Sequence, residues 1–468
     1  MRDTKYCIPQ FTFYDRTGIR AFLEHQAEDG WLLDKIGSFL WRFRRIQPKR
    51  LRFAVTYFPA ASAFDPGPSD AEQTFREFCA HAGWKLAASS AQLQIFWNED
   101  PDPVPIETDP VMELENIHSS VKRSYLLSQW MLLAVAVMQL GLIVYRLATD
   151  LVSTLASNAN LFTIFSYFML LTMCALEISG YYRWRRRALT AARKDGVFLE
   201  TRGRRSYAYW ILLVVCLAFL AMLWSMGSPG FVLLGLGGPV MMFLMVAVLL
   251  GASTLMKKLG ASGGVNRAVT IALTVVLSVG MVTLVIVSVM RNRDTLLEDE
   301  PVETYEYGGM TWEIYDDPLP LTLADLGLEQ VDTRYSKQKT GFGSLLLSEY
   351  QYIQRTLHGD PDTVRFWYSV VEVKADIFYE AALKNMLDTS DHGYSVDIYG
   401  NSFREEYRMV DAAPWGAERA YRTHYQDEWL NSFILCYDGV IVELDPSWEL
   451  TEAEMAIVGQ IFDKEEIT

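Results

Sequence analysis

Five stretches of this chain, residues 125–148, 161–182, 207–227, 230–256 and 268–290, are each long and apolar enough to cross a hydrocarbon core as a helix, which takes roughly 20 apolar residues. Nothing else in the sequence restricts the fold so strongly, because backbone in lipid must hydrogen-bond to itself, and only helices and closed barrels manage that. A single run would also suit a helix buried in a soluble core; five in succession predict an integral membrane protein. Hydrophobic residues make up 50% of the chain and charged ones 21%, and the apolar excess concentrates between Tyr125 and Met290. The opening residues hold no apolar core of the kind a cleaved leader needs, so the first run is expected to be the first translocation signal.

The flanks of these runs set an orientation. Lys122, Arg123, nine basic residues between Arg183 and Arg205, and Lys257, Lys258 and Arg267 fall on one side, 14 in all, against Arg146, Arg291 and Arg293 on the other. Basic flanks stay cytoplasmic, which predicts a cytoplasmic N-terminus in the cell membrane, and five crossings then carry the C-terminal segment outside. From Arg291 onward 14 basic residues face 36 acidic ones, a balance of −22, whereas residues 1–290 balance at +7. An acidic domain suits neither nucleic acid nor anionic lipid, since phosphate contact relies on Lys and Arg. Cys7 and Cys79 fall in the N-terminal segment, Cys174 and Cys216 in apolar runs, and Cys436 alone in the external segment. That segment is expected to hold without an internal disulfide, with Cys436 as a small buried residue.

The N-terminal segment carries an internal repeat. Phe22-x-Glu24-x-x-Ala27-x-x-Gly30-Trp31 returns as Phe75-x-Glu77-x-x-Ala80-x-x-Gly83-Trp84. Each pattern reads as a helix, the first offered an N-cap by Asp15, ending in a left-handed glycine with a tryptophan opening the next strand. Alternating runs lie before and after each helix, which predicts β-α-β-β used twice, six strands with two helices on one face of an α+β module. Gly30, Trp31, Gly83 and Trp84 are thus candidate residues with a structural explanation, helix end and core; a ligand groove is the competing one. The basic hairpin of Arg44, Arg45, Lys49, Arg50 and Arg52 around Pro48 reads as solvated, with anionic headgroups as the alternative contact.

These residues also carry a resemblance. The Tyr6-x-x-x-x-Phe11-x-Phe13 opening, the two Gly-Trp pairs, Ile95-Phe96-Trp97 and Ile106-Glu107-Thr108-Asp109-Pro110 resemble the uncharacterised family called domain of unknown function 2812, which occurs in bacterial membrane proteins. The resemblance runs from Lys5 to about Ile117. It implies a cytoplasmic module ahead of membrane helices, and it supplies neither an activity nor a catalytic residue.

Within the apolar runs the ionisable residues are Arg146 and Glu177, both near an end and expected to reach the interface. Gln139 and the Thr270-Thr274-Ser278 stripe read as helix-packing contacts. Gly235, Gly237, Gly238 and Pro239 predict a break or kink in the fourth helix, a feature that can line a substrate path. In the external segment, Gly308-Gly309 and Asp438-Gly439 mark hairpins, residues 376–387 an amphipathic helix, and Thr451 with Glu454 a capping box for a last helix over 452–462. His358, His392 and His424 stand isolated, and Asp316-Asp317 and Glu405-Glu406 read as solvated edges, so no catalytic, cofactor or metal residue is named.

The expected architecture is a cytoplasmic α+β domain over residues 1–117, a membrane region of five helices over 118–292, and an acidic extracytoplasmic α+β domain over 300–468. The expected function is non-enzymatic: an external binding or sensing domain coupled to a cytoplasmic interaction module. Its partners would be the lipid bilayer and a protein bound by the N-terminal domain, with homo-oligomerisation open and nucleic acid excluded. The alternative is a transport or export accessory subunit in which the interrupted fourth helix matters.

Overall fold

The computed structural model describes residues 3–37, 40–201, 208–225, 229–291, 301–329, 333–357, 364–391, 394–396, 402–404, 406–425 and 428–463. Phe39, His358, His392 and Glu405 lie outside the described residues. The chain divides into two compact units, each assembled from separated stretches.

In the first unit, β1 (Thr4–Cys7), α1 (Arg16–Glu28), β2 (Trp31–Ile36) and β3 (Trp41–Arg45) are followed by β4 (Arg52–Tyr57), α2 (Asp70–His81), β5 (Lys85–Ser90) and β6 (Leu93–Asn98). The strands make two separate antiparallel sheets, ordered β1-β3-β2 and β4-β6-β5. The topology is therefore duplicated, and so is a bulge: the register shifts between Leu33 and Lys35 in one sheet and between Leu86 and Ala88 in the other. Both helices have side-chain N-caps, Asp15 accepting from the Gly18 N–H and Ser69 from that of Glu72. The copies differ in depth. α1 buries Ile19, Leu23 and Ala27 in the main core with Leu33, Phe43, Val55 and Ile95, whereas α2 contributes Cys79 to a smaller cluster with Trp84 and Phe96.

α3 (Pro110–Val121) runs through a π-helical turn (Lys122–Leu126) into α4 (Leu127–Thr149), and α5 (Leu151–Ala156), α6 (Asn158–Asp195), α7 (Ala208–Ser225), α8 (Pro229–Lys258) and α9 (Gly263–Arg291) follow. Among the described residues four helices are long and apolar enough to cross a membrane, at Pro110–Thr149, Asn158–Asp195, Leu236–Lys258 and Gly263–Val287. The sequence predicts five. The third run, residues 207–227, extends past the described residues at both ends, and within them its apolar helix is Trp210–Trp224. The expected break in the fourth helix is absent as well. α8 continues through Pro239, since one missing N–H and one displaced carbonyl leave the remaining ladder able to carry the turn.

The second unit centres on a seven-stranded antiparallel sheet. β7 (Glu303–Tyr307) and β8 (Met310–Ile314) form a separate hairpin. β9 (Tyr335–Gly343), β10 (Leu347–Thr356), β11 (Arg365–Val373), β14 (Glu406–Val410), β15 (Arg419–Tyr425), β16 (Glu428–Tyr437) and β17 (Val440–Pro446) order as β14-β15-β16-β17-β11-β10-β9, with β12 (Tyr394–Val396) and β13 (Ser402–Arg404) paired apart. Alternation along β16 sends Phe433, Leu435 and Tyr437 to one face and Ile434 and Cys436 to the other, as a two-sided sheet requires. α11 (Glu452–Phe462), opened by the predicted Thr451–Glu454 capping box, covers the first face with Val458 and Phe462. α10 (Tyr379–Asp391) covers the second with Ala382, Leu383 and Met386. Beside them in that core lie Val152, Leu155 and Ala156 of α5, from the short segment between two apolar helices.

Candidate functional sites in the two units

Gly30 and Gly83 both lie in the left-handed region, at φ +84° and +83°, where a Cβ is penalised and glycine is not. A Cβ on Gly30 would stand 3.0 Å from the Ile46 carbonyl oxygen; one on Gly83 would stand 3.2 Å from Asn98 Nδ2. Trp84 is buried and donates from Nε1 to the Val104 carbonyl at 2.8 Å. Trp31 is half-buried, with Lys5 Nζ and the Arg45 guanidinium each 5.7 Å from its ring centre. The two tryptophans therefore do different work, one tying the linker to a core, the other carrying cations. The basic hairpin is mostly engaged internally: Lys49 pairs with Glu99, Arg50 with Glu28, and Arg52 donates to the Pro101 carbonyl.

A buried polar network of the first unit lies where α1 begins. Asp15 caps α1 and also accepts from the Thr201 hydroxyl, on the segment that follows α6. Next to it Arg16 pairs with Glu113 of α3 and stacks over Phe198 at 4.8 Å. Burial lowers the pKa of the Arg16 guanidinium and raises that of the Glu107 carboxyl, and each charge opposes the shift of the other. Tyr14, next to Asp15 in the chain, belongs to an aromatic cluster. Tyr14 meets Tyr181 edge-on and Trp184 at a tilt, both at 5.1 Å, while the Tyr181 hydroxyl lies 2.8 Å from His118 Nδ1. Ile178, Tyr181, Trp184, Ala188 and Ala192 of α6 belong to the same core as Leu23 and Phe43. Glu177, expected to reach the interface, is instead buried and accepts from the Tyr125 hydroxyl at 2.8 Å, because that hydroxyl offers a donor the apolar surroundings lack.

In the second unit the corresponding feature is α5. Six residues make too short a helix to stand alone, and this one is held at both ends by side chains of the C-terminal sheet domain. Asn385 Oδ1 accepts from the Leu151 and Val152 N–H groups at 2.9 and 3.3 Å, and the Ser344 hydroxyl donates to the Leu155 carbonyl at 2.6 Å. The Ser153 hydroxyl donates to Glu349 at 2.9 Å, and Asn158 Nδ2 to the Gly343 carbonyl. Burial raises the pKa of the Glu349 carboxyl, the bond from Ser153 pulls it down, and Asp150 pushes it up again. None of these residues is singled out by the sequence motifs. The signal was present: a loop exposed to water has no reason to carry Leu151, Val152, Leu155 and Ala156 at helical spacing behind an Asp150 cap.

The remaining candidates are accounted for by local structure. Asp316 pairs with Lys337, while Asp317 accepts from the Lys339 N–H. His424 lies edge-on to Trp429 at 4.9 Å. Cys436 is buried, its thiol pKa pushed up to about 11. Thr270 and Thr274 hydrogen-bond back to their own helix, and Ser278 approaches Met245 of α8. Among the described residues no group of His, Cys, Asp and Glu is arranged to hold a metal.

Residues 17–129 match the family model described as "Protein of unknown function (DUF2812)", the family that the Gly-Trp pattern resembles. The match takes in both Gly-Trp turns, Arg16's partners Glu107 and Glu113, and the start of α4. No curated protein and no solved structure matches the chain.

Proposed function

We propose that this chain is a multi-pass membrane protein that couples an extracytoplasmic sheet domain to a cytoplasmic module, and that it performs no reaction of its own. The observation that carries the reading is α6. It is one uninterrupted helix of 38 residues, about 57 Å at 1.5 Å per residue and nearly twice the hydrocarbon thickness. Leu161, near its start, packs against the core that holds α5, and Ile178 to Ala192 form part of the core of the Gly-Trp domain. A helix that joins two folded cores without a loop between them supports coupling of one to the other.

The orientation rests on α4. Leu126 at its start is buried with the Gly-Trp domain, and α5, directly after its end, is buried with the C-terminal sheet. These burials support a reading in which α4 crosses the bilayer between the two cores, and the basic flanks favour the cytoplasm for the N-terminal one. A protein partner of that module would meet Phe78 on α2, 62% exposed.

The test is hydrogen exchange on the full chain in nanodiscs, with Asn385→Ala as the perturbation. Coupling predicts faster exchange both at α5 and around Asp15 and Thr201. Exchange raised at α5 alone would leave two independent domains and sink the proposal.

A further inference from the structure

Within the first unit, the loop after β4, the end of β2, the start of α2 and the cytoplasmic-flank end of α8 enclose a cavity of about 690 Å³. Its walls are of two kinds. Val246, Leu249 and Leu250 of α8 supply an apolar side, and Lys35, Arg76 and Lys257 a cationic one, facing the carboxylates of Asp65 and Glu72. Glu72 pairs with Arg76 at 2.5 Å, while Asp65 accepts from the Ser62 N–H at 3.0 Å and keeps its charge. Lys35 and Lys257 have no ion-pair partner among the described residues. With Arg76 and Glu72 paired, the cavity presents two ammonium groups and the single Asp65 carboxylate beside an apolar wall, a surplus of one positive charge.

The loop that forms its rim is fixed in place. Asn266 of α9 donates from Nδ2 to the Phe64 carbonyl at 2.9 Å and to that of Ser253 in α8 at 3.4 Å, and the Arg267 guanidinium lies 5.5 Å from the centre of the Phe64 ring. On the other side the apolar wall is continuous with the outside of α8, where Leu244, Val248 and Leu250 are exposed. From Val246 to Lys257 the helix rises about 16 Å.

We infer that this cavity is a site for one anionic phospholipid, with the headgroup phosphate between Lys35 and Lys257 and an acyl chain along Leu250, Leu249 and Val246. Basic pockets beside cytoplasmic helix ends take anionic headgroups for the same reason, since a fixed cation pair near a low-dielectric wall is poorly screened. A free phosphate would satisfy the lysines and leave the apolar wall unused. The inference rests on α8 and α9 as membrane spans and not on coupling between the domains, so the hydrogen-exchange result above can fail without affecting it.

Native mass spectrometry of the full chain, released from nanodiscs of phosphatidylcholine with a minor share of phosphatidylglycerol, reads the retained lipid. The wild type is expected to keep one phosphatidylglycerol. Each lysine near the surface is worth roughly fivefold in affinity, so Lys35→Gln with Lys257→Gln should weaken retention about 25-fold. Lys258→Gln, exposed and outside the lining, should retain the lipid, and millimolar glycerol 3-phosphate should not displace it. Should the double variant fold poorly, Lys257→Arg, which keeps the charge, is expected to retain the lipid. Retention unchanged in a folded double variant, equal loss in Lys258→Gln, loss in Lys257→Arg, or displacement by glycerol 3-phosphate would each overturn the assignment.

Discussion

Asn385, on α10, receives the Leu151 and Val152 backbone N–H groups on its Oδ1 at 2.9 and 3.3 Å, across 234 residues of chain. A side chain of the C-terminal domain thus caps a helix that lies between two apolar helices far earlier in the sequence. The first N–H groups of a helix have no partner within it, and Asn385 supplies one from outside. The segment that joins α4 to α6 is in this way part of the sheet domain's fold.

Removing that cap has a predictable cost. Asn385→Ala should destabilise the second unit by about 1 kcal/mol, the usual scale for a lost N-cap, and should do so by exposing the amides of Leu151 and Val152. Asn385→Asp keeps an acceptor at the helix start, where negative charge is favoured, and should recover most of the loss. Thermal melts with amide exchange at those two positions provide the check; equal loss in both variants would mean that the side chain serves packing and not the cap.

The duplicated glycines should respond unequally. Both demand a left-handed residue, which costs an L-amino acid roughly 1–2 kcal/mol, but their neighbours differ. At Gly30 the new Cβ meets the Ile46 carbonyl, which is backbone, whereas at Gly83 it meets the end of the Asn98 side chain, which can swing away. Gly30→Ala should therefore lower the melting temperature of the N-terminal domain more than Gly83→Ala. Equal shifts, or a larger one at Gly83, would contradict this.

Glu349 predicts a pH dependence. Its folded pKa is raised above the ordinary 4.5, with burial as the main cause. A raised carboxyl contributes stability that is fully present below the unfolded value and lost as pH rises through the folded one. Glu349→Gln keeps an acceptor for Ser153 without the buried charge. It should melt higher than the wild type at neutral pH, and the gap should close in acid below the ordinary glutamate value. A variant less stable than the wild type throughout would show that the charged bond to Ser153 outweighs desolvation.

Much of this was legible in the residues. Gly-Trp at helix ends, the Thr451–Glu454 capping box and the hairpins at Gly308-Gly309 and Asp438-Gly439 are local devices, fixed by backbone sterics and nearby hydrogen bonds, and sequence spacing reports them directly. What was not legible depends on partners distant in sequence. Nothing near Glu177 reveals that Tyr125 will meet it, and nothing near Val152 reveals a seven-stranded sheet formed some 200 residues later. The six repeat strands form two sheets because each copy's third strand pairs with both others of its own copy, a choice that alternation alone leaves open.

The central claim is that α4 crosses the membrane between the Gly-Trp domain and a segment belonging to the C-terminal sheet. Single cysteines at Arg50, Asp150 and Glu452 test it, with Cys7 and Cys216 replaced and the buried Cys79, Cys174 and Cys436 kept. Labelling in intact cells with a membrane-impermeant maleimide should modify Asp150→Cys and Glu452→Cys, and should reach Arg50→Cys only after permeabilisation. Labelling of Asp150→Cys without Glu452→Cys, or of Arg50→Cys together with Asp150→Cys in intact cells, would contradict the account.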